Sequence, residues 1–505
     1  MISSNDSPQV KVAKGAAIIF AGIIFARLVN YLYQIVLARA GGTAEFGLFF
    51  LGVSTIAVAG GIATLGLDLG VARFAPIYLG KGDDSRLRGV LRYSLIFSIV
   101  AGAGAGVVLW LSGRLIAAEL LGMPNLVGII HICALCLPFY VSGRVLVKTV
   151  VAFQKIGYRV ALKQVLSPVV RFTLTFLLVA AGMGAAGAMW AFLASEVISW
   201  AVLLWLLNFR VYPLLRPAGG KSLFDSRAFF AYCLPLFLAG IIDLILHYTD
   251  AFMTGYFLEE AQVGLYGTAV RLAALVALGT ELLNPMFLSI ITQQHAEGNT
   301  AGVVSTFNNN NRWFCYITLP IAAVLVTLPA ESMALIWGES YVVGAWALAI
   351  LVLGRTFFYL ANTSTSLLYM HGATRLILAV NLFSALLNVV LNWILIPRIG
   401  ITGAALATAI SLSCYAMLVI GSAHLYHRES GLRVVFPRIL AAAALPVVAV
   451  LALKNLLGPG WIQFFGAGLI YLILYFLLLK FFRAFSEQDR AIGKQILSRI
   501  KGSAK

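Results

Sequence analysis

Apolar residues run through this chain in long blocks, separated by short polar or Gly/Pro-containing breaks. A helix needs about 20 apolar residues to cross a bilayer. About fourteen blocks reach that length, at roughly 15–38, 46–72, 91–112, 126–152, 161–181, 184–208, 228–257, 262–292, 313–333, 343–369, 372–396, 401–425, 436–457 and 460–482. The pattern predicts an all-α polytopic membrane protein. The stretch LLNVVLNWILIPRIGITGAALAT, from Leu386 to Thr408, reads as the end of one spanning helix, a tight Pro/Gly turn and a small-residue helix start. A weaker copy lies about 216 residues earlier: Gly184, Gly187, Ala188, Ala191 and Ser195 align with Gly400, Gly403, Ala404, Ala407 and Ser411. AGII at Ala21 to Ile24 recurs at Ala239 to Ile242, and FGLF at Phe46 to Phe49 resembles VGLY at Val263 to Tyr266.

Repeats at a fixed offset mean two related halves. The blocks divide as six, six and two. Residues 1–210 and 211–427 form six-helix lobes, 428–482 an additional helix pair, and 483–505 a basic tail. An even number of spans per half makes the repeat parallel, related by an axis along the membrane normal. In membrane proteins such halves flank a substrate path. The tail carries Ala491, Ile492, Ile496 and Ile500 at helical spacing among cations, the pattern of a helix lying on the inner leaflet.

Composition sharpens this picture. The chain is 61% hydrophobic and 11% charged, with a mean hydropathy of +0.95, more apolar surface than a soluble fold can bury. Its net charge of +17 does not point to nucleic acid, because basic residues in membrane proteins mark cytoplasmic loops. With the first helix starting inside, only Arg39, Arg114, Arg398 and Lys454 fall outside. Lys155, Arg159 and Lys163 fall on the inner side, as do most of the rest. Both termini are then expected in the cytoplasm of a multi-pass inner-membrane protein. The five cysteines sit in or beside helices, and Cys133 and Cys136 read as packing residues. Asn308 to Asn311 reads as a solvated loop or helix entry. HExxH and Walker A motifs are absent, and no gap between helices has room for a soluble catalytic domain.

Ionisable residues inside spans are costly and are functional candidates by default. Here they are Arg27, Arg144, Arg171, Arg271 and Arg355, with Asp68, Glu196, Asp243, Asp250 and Glu281. Guanidinium cannot be neutralised, so the arginines need carboxylates, water or an anionic substrate. Arg27, Asn30, Tyr31 and Gln34 form one stripe at i, i+3, i+4, i+7, either bonded to a neighbouring helix or lining a wet cavity. Arg355 and Arg271 are further cavity candidates, and Glu196 can pair with either Arg144 or Arg171. Asp243, His247 and Asp250 follow i, i+4, i+7, a spacing suited to a proton or cation or to an internal network.

Four segments carry a family resemblance. They are NVVLNWILIPRIGITGAALAT at Asn388 to Thr408, Asp250 and Gly255 with VGLY at Val263 to Tyr266, LIWGESYVVGA at Leu335 to Ala345, and the loop RFAPIYLGKGD at Arg73 to Asp83. Together they resemble the multidrug/oligosaccharidyl-lipid/polysaccharide exporter superfamily, and within it the O-antigen-type lipid-linked oligosaccharide flippases. The resemblance implies a non-enzymatic transporter for a glycan on an undecaprenyl-pyrophosphate-type carrier. It would work by alternating access beside membrane lipids, with glycan polymerase and glycosyltransferase partners. It implies a pyrophosphate role for Arg27. It also implies Na+ or H+ coupling at Asp243 or Asp250 with Asn381, Asn388 and Thr408, and no further cofactor. A cation-coupled drug exporter of the same fold, and a membrane glycan polymerase or glycosyltransferase, are the rival readings.

Overall fold

The computed structural model describes residues 8–214, 222–426, 432–453, 461–485 and 489. The expected tail helix at 491–500 lies outside the described residues. Among the described residues, seventeen α-helices follow one another: α1 (Pro8–Ala63), α2 (Leu67–Gly80), α3 (Asp84–Arg114), α4 (Leu126–Ala152), α5 (Ile156–Arg159), α6 (Ser167–Ala180), α7 (Gly184–Leu206), α8 (Ser226–Phe257), α9 (Glu260–Ala273), α10 (Leu278–Ala296), α11 (Thr300–Thr327), α12 (Pro329–Ile336), α13 (Ala345–Leu360), α14 (Asn362–Met370), α15 (Thr374–Tyr426), α16 (Leu432–Leu453) and α17 (Trp461–Phe481). No strand occurs among the described residues.

Among the described residues, ten helical stretches are long and apolar enough to cross a membrane, or eleven if α11 and α12, bent by 90°, count as one broken span. That is fewer than the expected fourteen. Part of the difference lies in two very long helices that each cover two apolar blocks. Non-helical backbone at Gly42 interrupts α1, and at Ile399 and Gly400 it interrupts α15. The expected span 46–72 ends early. Leu65 and Gly66 take positive φ, and α2 then runs on through Arg73 to Gly80, so the expected loop there is mostly helix. The block 262–292 is broken by a 3-10 turn at Ala274–Ala277.

Backbone features recur at the offset of the sequence matches. Left-handed residues pair at 82 and 298, 122 and 338, 154 and 372, and 184 and 400, all 216 to 218 apart. Helix starts pair as well. Asp83 accepts the Arg86 amide at the start of α3, and Asn299 accepts the Gly302 amide at the start of α11. Both satisfy an amide that the first helical turn leaves unbonded.

Compactness divides the chain into residues 1–267 with 388–404, and 268–387 with 405–505. In the first unit, Leu67, Val71, Leu91, Leu146, Leu203 and Phe229 belong to one buried cluster shared by α2, α3, α4, α7 and α8. Beyond the end of α7, Tyr212 donates to Asp84 at 2.6 Å. Burial first, then this bond, holds its hydroxyl above the ordinary range. In the second unit, one cluster joins α10, α14 and α15 around Phe287, Leu368 and Val419. Another joins α11, α16 and α17 around Phe314, Ile439 and Tyr475.

Two glycines at equivalent repeat positions meet in the first unit. A Cβ on Gly47 would lie 2.0 Å from the Glu260 carbonyl oxygen and 2.9 Å from the Gly264 nitrogen. One on Gly264 would lie 1.8 Å from the Thr43 carbonyl oxygen and 3.0 Å from the Gly47 nitrogen. The contact is reciprocal, and only a residue without a side chain permits backbones this close.

Candidate functional site

The charges inside the first unit sort into two groups. Glu196 on α7 is 7% exposed and is held by Lys163 at 2.7 Å and Arg171 at 3.1 Å. Arg171 also donates to the Ser195 hydroxyl, and its guanidinium lies 3.9 Å from the Phe192 ring centroid. Lys163 is therefore not part of the inner basic cluster that its neighbours suggest. A π-helical turn at Val160–Leu166 carries it, and it reaches a carboxylate 33 residues away. Burial of this trio is tolerable because each ion has a partner of opposite sign.

The second group opens into a cleft. Arg144 on α4 bonds the Asp68 carboxylate of α2 at 3.0 Å, with 44% of its own side chain exposed and 5% of Asp68's. Thr64, Asp68 and Arg144 line a cavity of about 190 Å³ with Leu236, Gly240 and Asp243 of α8. Asp243 is 70% exposed and lies 3.5 Å from the His247 imidazole. The cleft thus combines a half-exposed cation, its buried counter-ion and an open carboxylate. Such a set can take a ligand carrying both anionic and hydroxyl groups. The choice left open for Glu196 resolves to Arg171, and Arg144 takes Asp68.

Asp250, two turns beyond Asp243 on α8, is not part of that cleft. It is buried and accepts a 2.6 Å bond from the Tyr266 hydroxyl. The evenly spaced acidic stripe therefore splits into an exposed half and a buried, hydrogen-bonded half. Asn388 is buried in the same unit and accepts from the Asn392 amide at 2.9 Å. Asn381 and Thr408 belong to the other unit, where Thr408 is buried and Asn381 is half-buried.

On α1, Arg27, Asn30 and Tyr31 are half-buried and Gln34 is buried. The Gln34 amide donates to the Asn30 backbone oxygen at 2.8 Å. The side-chain oxygens of Asn30 and Gln34 are buried with no hydrogen-bond donor among the described residues. In the second unit, Arg271 lies two residues before the end of α9 and Arg355 lies on α13, both half-buried. The 3-10 turn after α9 packs against α13. The Nε of Arg355 is buried with no hydrogen-bond partner among the described residues. Thr363 and Thr365, beyond Arg355, bond Asn310 and Tyr415 instead of facing open space. The asparagine run is accordingly not a solvated loop: it lies inside α11, with Asn310 and Asn311 buried.

Residues 36–346 match the model of a family described as polysaccharide biosynthesis protein, more than half of the chain. The chain belongs to that family. Among its relatives, the probable low-salt glycan biosynthesis flippase Agl15 of Haloferax volcanii is 26% identical over 246 residues, 48% of this chain and 50% of that protein. The match thus spans about half the relative's length. An uncharacterized membrane protein of Methanocaldococcus jannaschii is 21% identical over 490 residues, 93% of this chain and 95% of that protein. Among solved structures, the lipid II flippase MurJ in an inward closed conformation superposes with a TM-score of 0.72 at 15% identity, covering 92% of this chain and 98% of that one. An inward-facing multidrug resistance MATE family transporter of the MOP superfamily gives 0.66 at 16% identity, covering 81% and 98%. At such identities the likeness establishes the fold, a multi-pass helical bundle of the MurJ and MATE kind.

Proposed function

We propose that this protein is a non-enzymatic flippase that carries a lipid-linked oligosaccharide across the cytoplasmic membrane by alternating access. The reading holds that fourteen spans form two six-helix lobes and a helix pair, with both termini in the cytoplasm. The observation that carries it is Arg144, a guanidinium half-exposed in a cleft whose facing helix belongs to the second sequence repeat. Family membership and the glycan-flippase relative support the same direction. Arginine's planar fork suits phosphate oxygens of an undecaprenyl-pyrophosphate-type carrier. Arg27, Asn30, Tyr31, Gln34, Arg271 and Arg355 would line the path with it. Glycan polymerase and glycosyltransferase partners follow from that role. Asp243, Asp250, Asn381, Asn388 and Thr408 remain the proposed Na+ or H+ coupling set, in which Asp243 is the exposed member. That open carboxylate favours a second reading, a cation-coupled drug exporter.

The test is outer-leaflet exposure of the lipid-linked glycan in cells carrying single variants. Arg27→Ala is expected to abolish flipping at near-normal protein abundance, with Arg27→Lys restoring part of it. Normal flipping by Arg27→Ala, or failure only through lost protein, would remove Arg27 from the path. In proteoliposomes, Asp243→Asn is expected to weaken ion-dependent transport. Unchanged ion dependence would exclude Asp243 from coupling.

A further inference from the structure

The sequence GAGAG at Gly102 to Gly106 lies inside α3 and has no part in the charged cleft. A Cβ on Gly102 would lie 2.9 Å from the Leu137 oxygen, and one on Gly106 would lie 2.6 Å from the Ala134 oxygen. The two helices therefore run backbone to backbone here. Pro138 lacks an amide proton and leaves the Ala134 carbonyl without its usual helical donor, and that is the carbonyl Gly106 approaches.

This close packing leaves a trench along the α3–α4 seam. Ala103, Val107, Leu111, Leu135, Pro138 and Phe139 line a strongly apolar cavity of about 510 Å³. Over Ala103 to Trp110 the trench is about 10 Å long, at about 1.5 Å rise per residue. At its Trp110 and Leu135 end it meets a second cavity of about 530 Å³ that both residues also line. The second cavity is mainly apolar, with Glu45, Asn125 and His131 as its polar side chains. The Trp110 and His131 rings stack there with centroids 4.2 Å apart, and Glu45, Asn125 and Trp190 stand in the same wall beside aliphatic side chains. Glu45 accepts the Ala185 amide through one oxygen, and its other oxygen is available to a ligand. Among the described lining residues there is no Lys or Arg.

A trench for an alkyl chain, continuous with a pocket holding one carboxylate and several aromatic faces, matches a single kind of molecule. Carboxylate charge and aromatic quadrupoles both favour an ammonium group. A pocket without lysine or arginine lacks the fixed cations that a purely anionic head would seek. We propose that the α3–α4 groove binds one membrane lipid with an amine-bearing headgroup. Its ammonium group sits between Glu45 and the Trp110–His131 stack, and one of its chains lies in the trench.

Native mass spectrometry of the full chain in detergent tests this. The probes are phosphatidylethanolamine and phosphatidylglycerol of equal chain length. The wild type is expected to retain one phosphatidylethanolamine about tenfold better than phosphatidylglycerol. Glu45→Gln keeps an acceptor for the Ala185 amide and is expected to abolish that preference. Leu135→Trp, which fills the trench, is expected to weaken both lipids. If Glu45→Gln does not purify as a monodisperse protein, Trp110→Leu carries the same loss of preference. Equal retention of the two lipids by the wild type, or an unchanged preference in the headgroup variant that purifies, would overturn the proposal.

Discussion

Glu196 neutralises two cations that come from a different helix and a π-helical turn. Removing one member of a buried ion network leaves an uncompensated charge, at a cost of about 3–5 kcal/mol. Glu196→Gln is therefore expected to lower the thermal midpoint of the detergent-purified protein sharply. The double variant Glu196→Gln with Lys163→Met should recover part of the loss, since it removes one of the two stranded charges. A Glu196→Gln protein that melts with the wild type would show that the trio holds nothing together. At this scale the candidates are legible in the sequence, but their pairing is not. Arg144, Arg171 and Glu196 were recognisable as ions inside apolar blocks. Lys163 was not, because it stands at the edge of a block beside Arg159, and the turn that aims it inward has no composition signal. The split between Asp243 and Asp250 was equally hidden, because a spacing of seven does not reveal that Tyr266 occupies one of the two.

At the scale of elements, the signals that held were those set by backbone chemistry. The Pro/Gly break near residue 400 and the small-residue start after it appear as a left-handed glycine and a new helical run. Boundaries that failed did so where apolarity continues through a turn, as at Leu65 and Gly66, or where polar residues are buried, as at Asn310. Hydropathy measures the solvent a segment tolerates, and it is blind to hydrogen bonds made inside a bundle. The crossing of α1 and α9 gives a direct test. Gly264→Ala places a methyl against the Thr43 carbonyl oxygen and forces the helices apart. Overpacking of this kind typically costs about 1–3 kcal/mol. Gly104→Ala meets no atom within 4 Å and serves as the control. A lower thermal midpoint for Gly264→Ala alone is expected, and equal midpoints would mean that the crossing yields easily.

For the molecule as a whole, the charge pattern sets an orientation that labelling can read. Arg86, before the bulk of α3, and Glu259, in the turn between α8 and α9, are both exposed. The positive-inside rule predicts that they face opposite sides. With Cys414→Ser as background, a membrane-impermeant thiol reagent added to intact cells should modify Glu259→Cys and spare Arg86→Cys until the membrane is opened. The reverse pattern would invert the topology. The reciprocal approach of Gly47 and Gly264 also limits what either position can become. A contact in which each partner meets the other's equivalent atoms has the form of an isologous contact. A side chain added at either glycine meets a backbone carbonyl of the other helix, so no choice of side chain on one side can compensate for a change on the other.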